Sequence, residues 1–295
     1  MTELVLPPPL RPGDLVAVVA PSGPVGRDEL FPGLAWVRDR YRVRVTARVL
    51  ARRGYLAGDD EERARELTLA LEDPDVRAIL AVRGGYGAMR LLERVDLSAL
   101  ARSPRWIVGF SDVTALHASA WALGVASIHA PHVGTLAPAS PQIRASWLAA
   151  LERPKARREW TGLTVVHPGE ASGPLVGGNL TLLFSMAASG RLVLPQGAIL
   201  AIEDVAESPY RVDRMLTALA LGNHLRNVGA IVTGGFHQCG PGADGVFALE
   251  VVRERTAHLG IPVLSGAPFG HSDLNEAFVL GLPTTVEGGR VISGH

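Results

Sequence analysis

The chain has 295 residues, 47% apolar and 20% charged, which suits one large or two ordinary globular domains and is too apolar for disorder. Basic and acidic residues balance at 29 each, so no net field draws it to nucleic acid or to an anionic membrane. A lone cysteine excludes an internal disulfide and cysteine-rich zinc or iron–sulfur sites, and it favours a cytoplasmic home.

The opening MTELVLPPPLRPGD breaks in prolines and lacks the basic-then-apolar pattern of a leader; no apolar run approaches the roughly 20 residues of a membrane span. A regular alternation follows. DLVAVVAPS (Asp14 to Ser22) predicts a buried strand and RDELFPGLAWVRDRY a helix. RVRVTARVL predicts a strand, and DDEERARELTLALED a helix with an acidic first turn. VRAILAVRGG, GAMRLLERV, RWIVGFS and DVTALHASAWAL repeat the strand–helix pair twice, and ASIHAP closes the series. Strands spaced by amphipathic helices imply βαβ units on a parallel sheet, with the ligand-binding loops beyond the strands' C-terminal ends. APSGPV, RGGYGA and GFSD land on that edge.

From Pro131 to Gly173 the pattern loosens into Pro-, Arg- and Gly-rich sequence with one helix, Gln142 to Leu151. The expected division is 1–135 for an N-terminal α/β domain, 136–172 for a linker region and 173–295 for a C-terminal domain. The second half opens a helix at GGNLTLLFSMAAS. Strand GAILAIEDV, helix YRVDRMLTALAL, strand NVGAIVTGGF, helix GVFALEVVRERTAHLG and strand PVLSGAP follow. FVLGLPTTVEGGRVISG predicts a hairpin turning at Glu287-Gly288-Gly289. No internal repeat is evident.

Several chemistries are excluded or open. Lys155, the one lysine, sits in polar ERPKARREW, so there is no Walker A loop and no desolvated Schiff-base lysine. Gly85-Tyr86-Gly87 begins a dinucleotide fingerprint, but Arg90 takes the third glycine's place. Ser111, on a strand-to-helix corner, is either a helix cap or a nucleophile lifted above the sheet. As a nucleophile it would use the N–H of Asp112 and a glycine N–H of the RGGYGA loop as oxyanion donors. Among histidines, His117 should point away from the corner, while His258 and the last residue His295 read as solvated. His129 and His132 have an H-x-x-H spacing that Pro131 keeps from being a regular helical metal pair. His237 and Cys239 could pair, although a free cysteine is more often inert. His271 follows a buried strand in a Gly/Pro loop, with Asp273 or Asn275 as ordinary partners. Glu203 ends an apolar strand, where a carboxylate must be paired; His271 is one candidate partner, Arg211 and Arg214 the others.

RGGYGAMRLL, GFSDVTAL, GPLVGGNLTLL, AIEDVAESPYRVDRML and GHSDLNEAFVLG, in this order, resemble the LD-carboxypeptidases, serine peptidases of the murein tetrapeptidase and microcin-immunity group. The likeness runs from LRPGDLVAVVAPSGPV nearly to the C-terminus. It implies a Rossmann-like N-terminal domain with a parallel sheet and a smaller mixed α/β C-terminal domain. It implies Ser111 as nucleophile, His271 as base, Glu203 as the orienting acid, and the backbone amides of Gly85 and Asp112 as oxyanion hole. No metal or cofactor is implied. The expected reaction removes the terminal D-alanine of murein tetrapeptides in peptidoglycan recycling, in the cytoplasm and as a homodimer, with no nucleic-acid or membrane partner. The microcin-immunity branch instead cleaves aminoacyl-adenylate or peptidyl-nucleotide amides, and a longer loop with an aromatic for the adenine is expected there. Here the connections between Glu203 and His271 look short and no tryptophan follows Trp160, which favours the murein branch.

Overall fold

The computed structural model describes residues 4–242 and 245–294. Two compact units divide the chain. The N-terminal unit holds Val5–Pro154 with Glu276–Val279, and the C-terminal unit holds Lys155–Asn275 with Leu4 and residues 280–294. The change from one to the other thus falls at Pro154, inside the 136–172 stretch.

In the N-terminal unit, β1 (Leu15–Val19), α1 (Arg27–Arg38), β2 (Arg42–Arg44), α2 (Asp60–Glu72) and β3 (Val76–Ala81) alternate as the sequence predicts. Short α3 (Ala99–Arg102), β4 (Trp106–Gly109), α4 (Thr114–Ala122), β5 (Ser127–His129), α5 (Val133–Leu136) and α6 (Pro141–Glu152) follow. The five strands are parallel in the order β2-β1-β3-β4-β5. This is a doubly wound order whose switch point lies between β1 and β3, where a ligand crevice is expected beyond the strand ends. The central strands are almost wholly buried, as continuous apolar runs covered on both faces should be. Helix starts are set by side chains: the Asp59 carboxylate accepts from Glu62 N at 2.8 Å, and Ser140 caps α6 with Pro141 in its first turn.

Two predicted elements shrink. RVRVTARVL gives only the three-residue β2, because the Thr46 hydroxyl accepts from Arg48 N and starts a 3-10 turn over Ala47–Leu50. GAMRLLERV gives a 3-10 turn over Ala88–Leu91 in place of a helix; its first N–H, that of Ala88, goes to the Asp112 carboxylate at 2.7 Å.

The C-terminal unit carries an eight-stranded mixed sheet. Its elements are β6 (Arg158–Trp160), β7 (Thr164–His167), β8 (Ala171–Asn179), α7 (Leu180–Ala188), β9 (Ala198–Val205), α8 (Pro209–Leu221), β10 (Val228–His237), α9 (Ala248–Thr256) and β11 (Val263–Ser265). After β12 (Phe278–Leu280) come β13 (Pro283–Glu287) and β14 (Arg290–Ser293). β8, β9, β10 and β11 are mutually parallel; β13, β14 and β6 extend one side and β7 the other, all antiparallel. The hairpin pairs Glu287 with Arg290 across the predicted turn. Phe278–Leu280 is not part of it. This segment joins the N-terminal unit's sheet beside β5, where Phe278 stacks on His129 at 4.7 Å and Ala277 N donates to Ser146 Oγ at 3.0 Å. No helix among the described residues is long and apolar enough to cross a membrane.

Candidate active site

The corner after β4 is built for close approach. Phe110 is still extended, and Ser111 then takes φ +58, a left-handed conformation that costs a non-glycine residue on the order of 1–3 kcal/mol. A 3-10 turn over Ser111–Val113 runs straight into α4. Gly109 permits the fold-back, since a Cβ there would stand 2.9 Å from the Val113 side chain. The capping alternative fails: Phe110 and Val113 occupy the two cap positions, and neither turn takes a side-chain cap. The partly exposed Ser111 hydroxyl is therefore held in a strained turn, at the N-terminal end of α4, without serving as its cap.

The loop after β3 closes on this serine. A Cβ on Gly84 would lie 3.0 Å from Ser111 Oγ and 3.1 Å from His132 Cε1, so only glycine lets the backbone pass. Next along, Gly85 has φ +104, and its N–H donates to no group among the described residues. The loop after β1 is tied in by Gly23 N, which donates to Gly84 O at 2.9 Å. Two buried polar side chains hold these loops. Asp112 is fully buried and accepts from Ala88 N; burial pushes its carboxyl above the usual range, opposed by Ser22, the Ala88 amide and Arg63. Arg63, buried on α2, donates to the carbonyls of Pro21 and Gly87 and pairs with Asp60. In the sequence nothing local distinguishes Arg63. Its helical pattern reads as an ordinary surface arginine, and only the tertiary fold turns it inward.

In the C-terminal unit, β9 delivers Glu203 with no exposed surface. Its Oε2 lies 2.6 Å from His271 Nδ1. An ionised carboxylate can only accept, so a neutral imidazole paired with it carries its proton on Nδ1 and has its lone pair on Nε2. His271 keeps 19% of its side chain exposed. Gly270 makes the approach possible: at φ +113, a Cβ there would meet Glu203 Oε2 at 3.0 Å. Asn275 closes the loop by accepting from Gly270 N at 3.1 Å, so it serves the backbone and not His271. The arginine alternatives go elsewhere. Arg211 pairs with Glu207, and Arg214 lies over the Tyr210 ring.

Two further residues shape this pair. The parallel register places Asn179, the last residue of β8, opposite Glu203. Its Nδ2 donates to Glu203 Oε1 at 3.3 Å and to Asp204 Oδ1 at 2.9 Å, while its Oδ1 caps α7 at Leu182 N. Buried Asp204 also accepts from the Thr181 amide and hydroxyl at 2.9 Å; burial raises its carboxyl pKa against those bonds. An asparagine ahead of the apolar LTLL run carried a cap signal, but its reach to Glu203 depends on strand register.

The remaining candidates are structural. His117 is fully buried, with Nδ1 2.9 Å from Ser127 Oγ and Nε2 2.9 Å from the Gly109 carbonyl, so it braces the end of β4. His129 and His132 both pack on Phe110, and His132 Nε2 lies 3.1 Å from the Phe110 carbonyl. Cys239 Sγ contacts the His237 carbonyl, not its imidazole, and burial pushes the thiol up to about 11. His258 is exposed, and His295 lies outside the described residues. Among the described residues no cluster of three or more His, Cys, Asp or Glu side chains could hold a metal ion.

Comparison with known proteins places both halves. Residues 16–130 match the LD-carboxypeptidase N-terminal domain, and residues 172–286 match the LD-carboxypeptidase C-terminal domain. A putative carboxypeptidase of Synechocystis is 37% identical, over 96% of this chain and 94% of its own length. The murein tetrapeptide carboxypeptidase of Pseudomonas aeruginosa is 36% identical, over 94% of each chain. The crystal structure of muramoyltetrapeptide carboxypeptidase from Oxalobacter formigenes aligns with TM-score 0.86 and 30% identity, over 95% of this chain and 99% of that one. The microcin C7 self immunity protein, solved in complex with aspartyl sulfamoyl adenosine, shares the fold at TM-score 0.88 and 23% identity, over 99% and 98% of the two chains. With both domain models matched and near-full-length relatives above 30% identity, the chain belongs to the LD-carboxypeptidase family.

Proposed function

We propose that this protein is a serine-type carboxypeptidase that hydrolyses the L,D-peptide bond before the terminal D-alanine of murein tetrapeptides, in cytoplasmic peptidoglycan recycling and as a homodimer. The assignment rests above all on the Glu203–His271 hydrogen bond, which gives the imidazole a fixed tautomer with its basic nitrogen at Nε2. The near-full-length likeness to a murein tetrapeptide carboxypeptidase supports the substrate, and the single cysteine suits a reducing compartment.

Ser111 is the nucleophile. Its Oγ attacks the scissile carbonyl while His271 Nε2 takes its proton, and Glu203 stabilises the imidazolium that forms. The amides of Gly85 and Asp112 donate to the developing oxyanion. When the tetrahedral intermediate collapses, the C–N bond breaks and His271 returns the proton to the amine of D-alanine. Water then repeats the cycle on the acyl-enzyme, releasing the tripeptide. No step calls on a metal or cofactor.

A substrate panel tests this assignment. Murein tetrapeptide should yield tripeptide and D-alanine by mass spectrometry, with aminoacyl-sulfamoyl adenosine left intact. The opposite pattern would move the protein to acyl-nucleotide hydrolysis.

A further inference from the structure

A pocket of about 610 Å³ opens in the N-terminal unit beside the loop that abuts Ser111. Arg52, Arg83, Tyr55, Tyr86, Pro24 and Gly85 line it, and no carboxylate does. That composition departs from its surroundings. Arg44, Arg48, Arg90 and Arg94 of the same unit each meet an acidic side chain. Arg52 and Arg83 are exposed and make no ion pair among the described residues. Arg83 spends one N–H on the Pro24 carbonyl at 2.6 Å, which fixes its stem and leaves the rest of its fork open. Two guanidiniums sharing one pocket without an anion repel each other, and a shared carboxylate removes that cost. The Tyr55 and Tyr86 rings, 5.9 Å apart, form an aromatic wall beside them.

Position gives the pocket its meaning. Gly85 lines it and also follows Gly84, the residue in contact with Ser111. A peptide whose scissile carbonyl sits at Ser111 carries its terminal carboxylate one residue further on, about 3.5 Å of chain. We propose that Arg52 and Arg83 form the subsite that binds the C-terminal carboxylate of the leaving D-amino acid, with Tyr55 and Tyr86 walling it. This rests on the carboxypeptidase assignment above. It makes the free carboxylate the feature that limits cleavage to the last residue: a longer peptide offers a neutral amide there and leaves the arginine pair unmatched.

The test is equilibrium binding to the Ser111→Ala protein, which separates recognition from turnover. The probes are a lysine-containing tetrapeptide and its C-terminal amide, which differ only in the charge at issue. The free acid should bind about tenfold to a hundredfold more tightly. Adding Arg52→Gln and Arg83→Gln should abolish that preference and leave binding of the amide unchanged. Arg52→Gln alone covers the case of a double variant that fails to fold, because the Arg52 guanidinium makes no hydrogen bond among the described residues. A diaminopimelate tetrapeptide amide distinguishes a side-chain carboxylate as the source: arginine-dependent tight binding of that probe would overturn the terminal assignment. Absence of any acid-over-amide preference in the parent, or its survival in the arginine variants, would overturn the subsite. An intact preference in a wild-type protein that fails to cleave tetrapeptide would sink the murein assignment and leave the subsite standing.

Discussion

His271 Nδ1 and Glu203 Oε2 lie 2.6 Å apart although 68 residues of chain separate them. The glutamate is fully buried and the histidine is partly exposed, so the carboxylate fixes the ring from the protein interior. A buried carboxylate is costly unless matched; Asn179 supplies its second partner at 3.3 Å.

Glu203→Gln should therefore fold and fail to turn over. A glutamine amide can donate to the imidazole and favour the wrong tautomer, so kcat should fall by roughly a thousandfold to ten-thousandfold. Thermal melting should move by only a few degrees. A variant with near-normal kcat would remove Glu203 from the catalytic machinery.

Gly84→Ala tests the closeness of the loop to the serine. The added methyl would lie 3.0 Å from Ser111 Oγ, so the loop or the corner must shift by several tenths of an ångström. A loss of about a hundredfold in kcat/KM is expected, with the far-ultraviolet spectrum unchanged. Wild-type kinetics would mean that the loop does not position Ser111.

Burial pushes His117 down to about 4 from its ordinary value of 6.5. Above pH 6.5 the residue is neutral in both folded and unfolded chains and costs nothing. As pH falls from 6.5 towards 4, the unfolded chain takes up a proton that the folded chain refuses, so stability declines. Between pH 7 and 5 this one residue should remove about 2 kcal/mol. Urea unfolding of wild type and His117→Gln at pH 7 and pH 5 measures it: the variant should lose less on acidification. Equal losses would place the titration elsewhere.

Much of this was legible in the residues, and the failures have physical causes. Alternating apolar runs and amphipathic helices predicted the parallel sheet, and loops after strands predicted where Ser111, Gly85 and Asp112 would stand. Glu203 at the end of an apolar strand signalled a buried acid needing a partner, but local spacing offered Arg211 and Arg214 as readily as His271. Only the long-range closure through Gly270 decides among them. β8 is hard to read locally because Pro174, Gly177 and Gly178 interrupt its pattern, although the Gly177 backbone packs directly on Ala201. β12 reads as one with the hairpin because nothing local marks a segment that pairs with a strand about 150 residues earlier. Arg63 and Asp204 were invisible for the same reason: their partners are brought by the fold.

Cys239 should be dispensable. Its thiol is buried and pushed up to about 11, so the thiolate is a minor form at neutral pH. Iodoacetamide should leave activity intact, and Cys239→Ala should keep kcat within about twofold while costing on the order of 1 kcal/mol of stability. Inactivation by the reagent with protection by substrate would reopen a thiol role.

The most direct measurement is D-alanine release from murein tetrapeptide by the wild type and by Ser111→Ala, both with chelator present. Release by the wild type that survives chelator and vanishes in a folded Ser111→Ala protein is the predicted result. Release that persists in the mutant, or that the chelator abolishes, would contradict a serine nucleophile acting without metal.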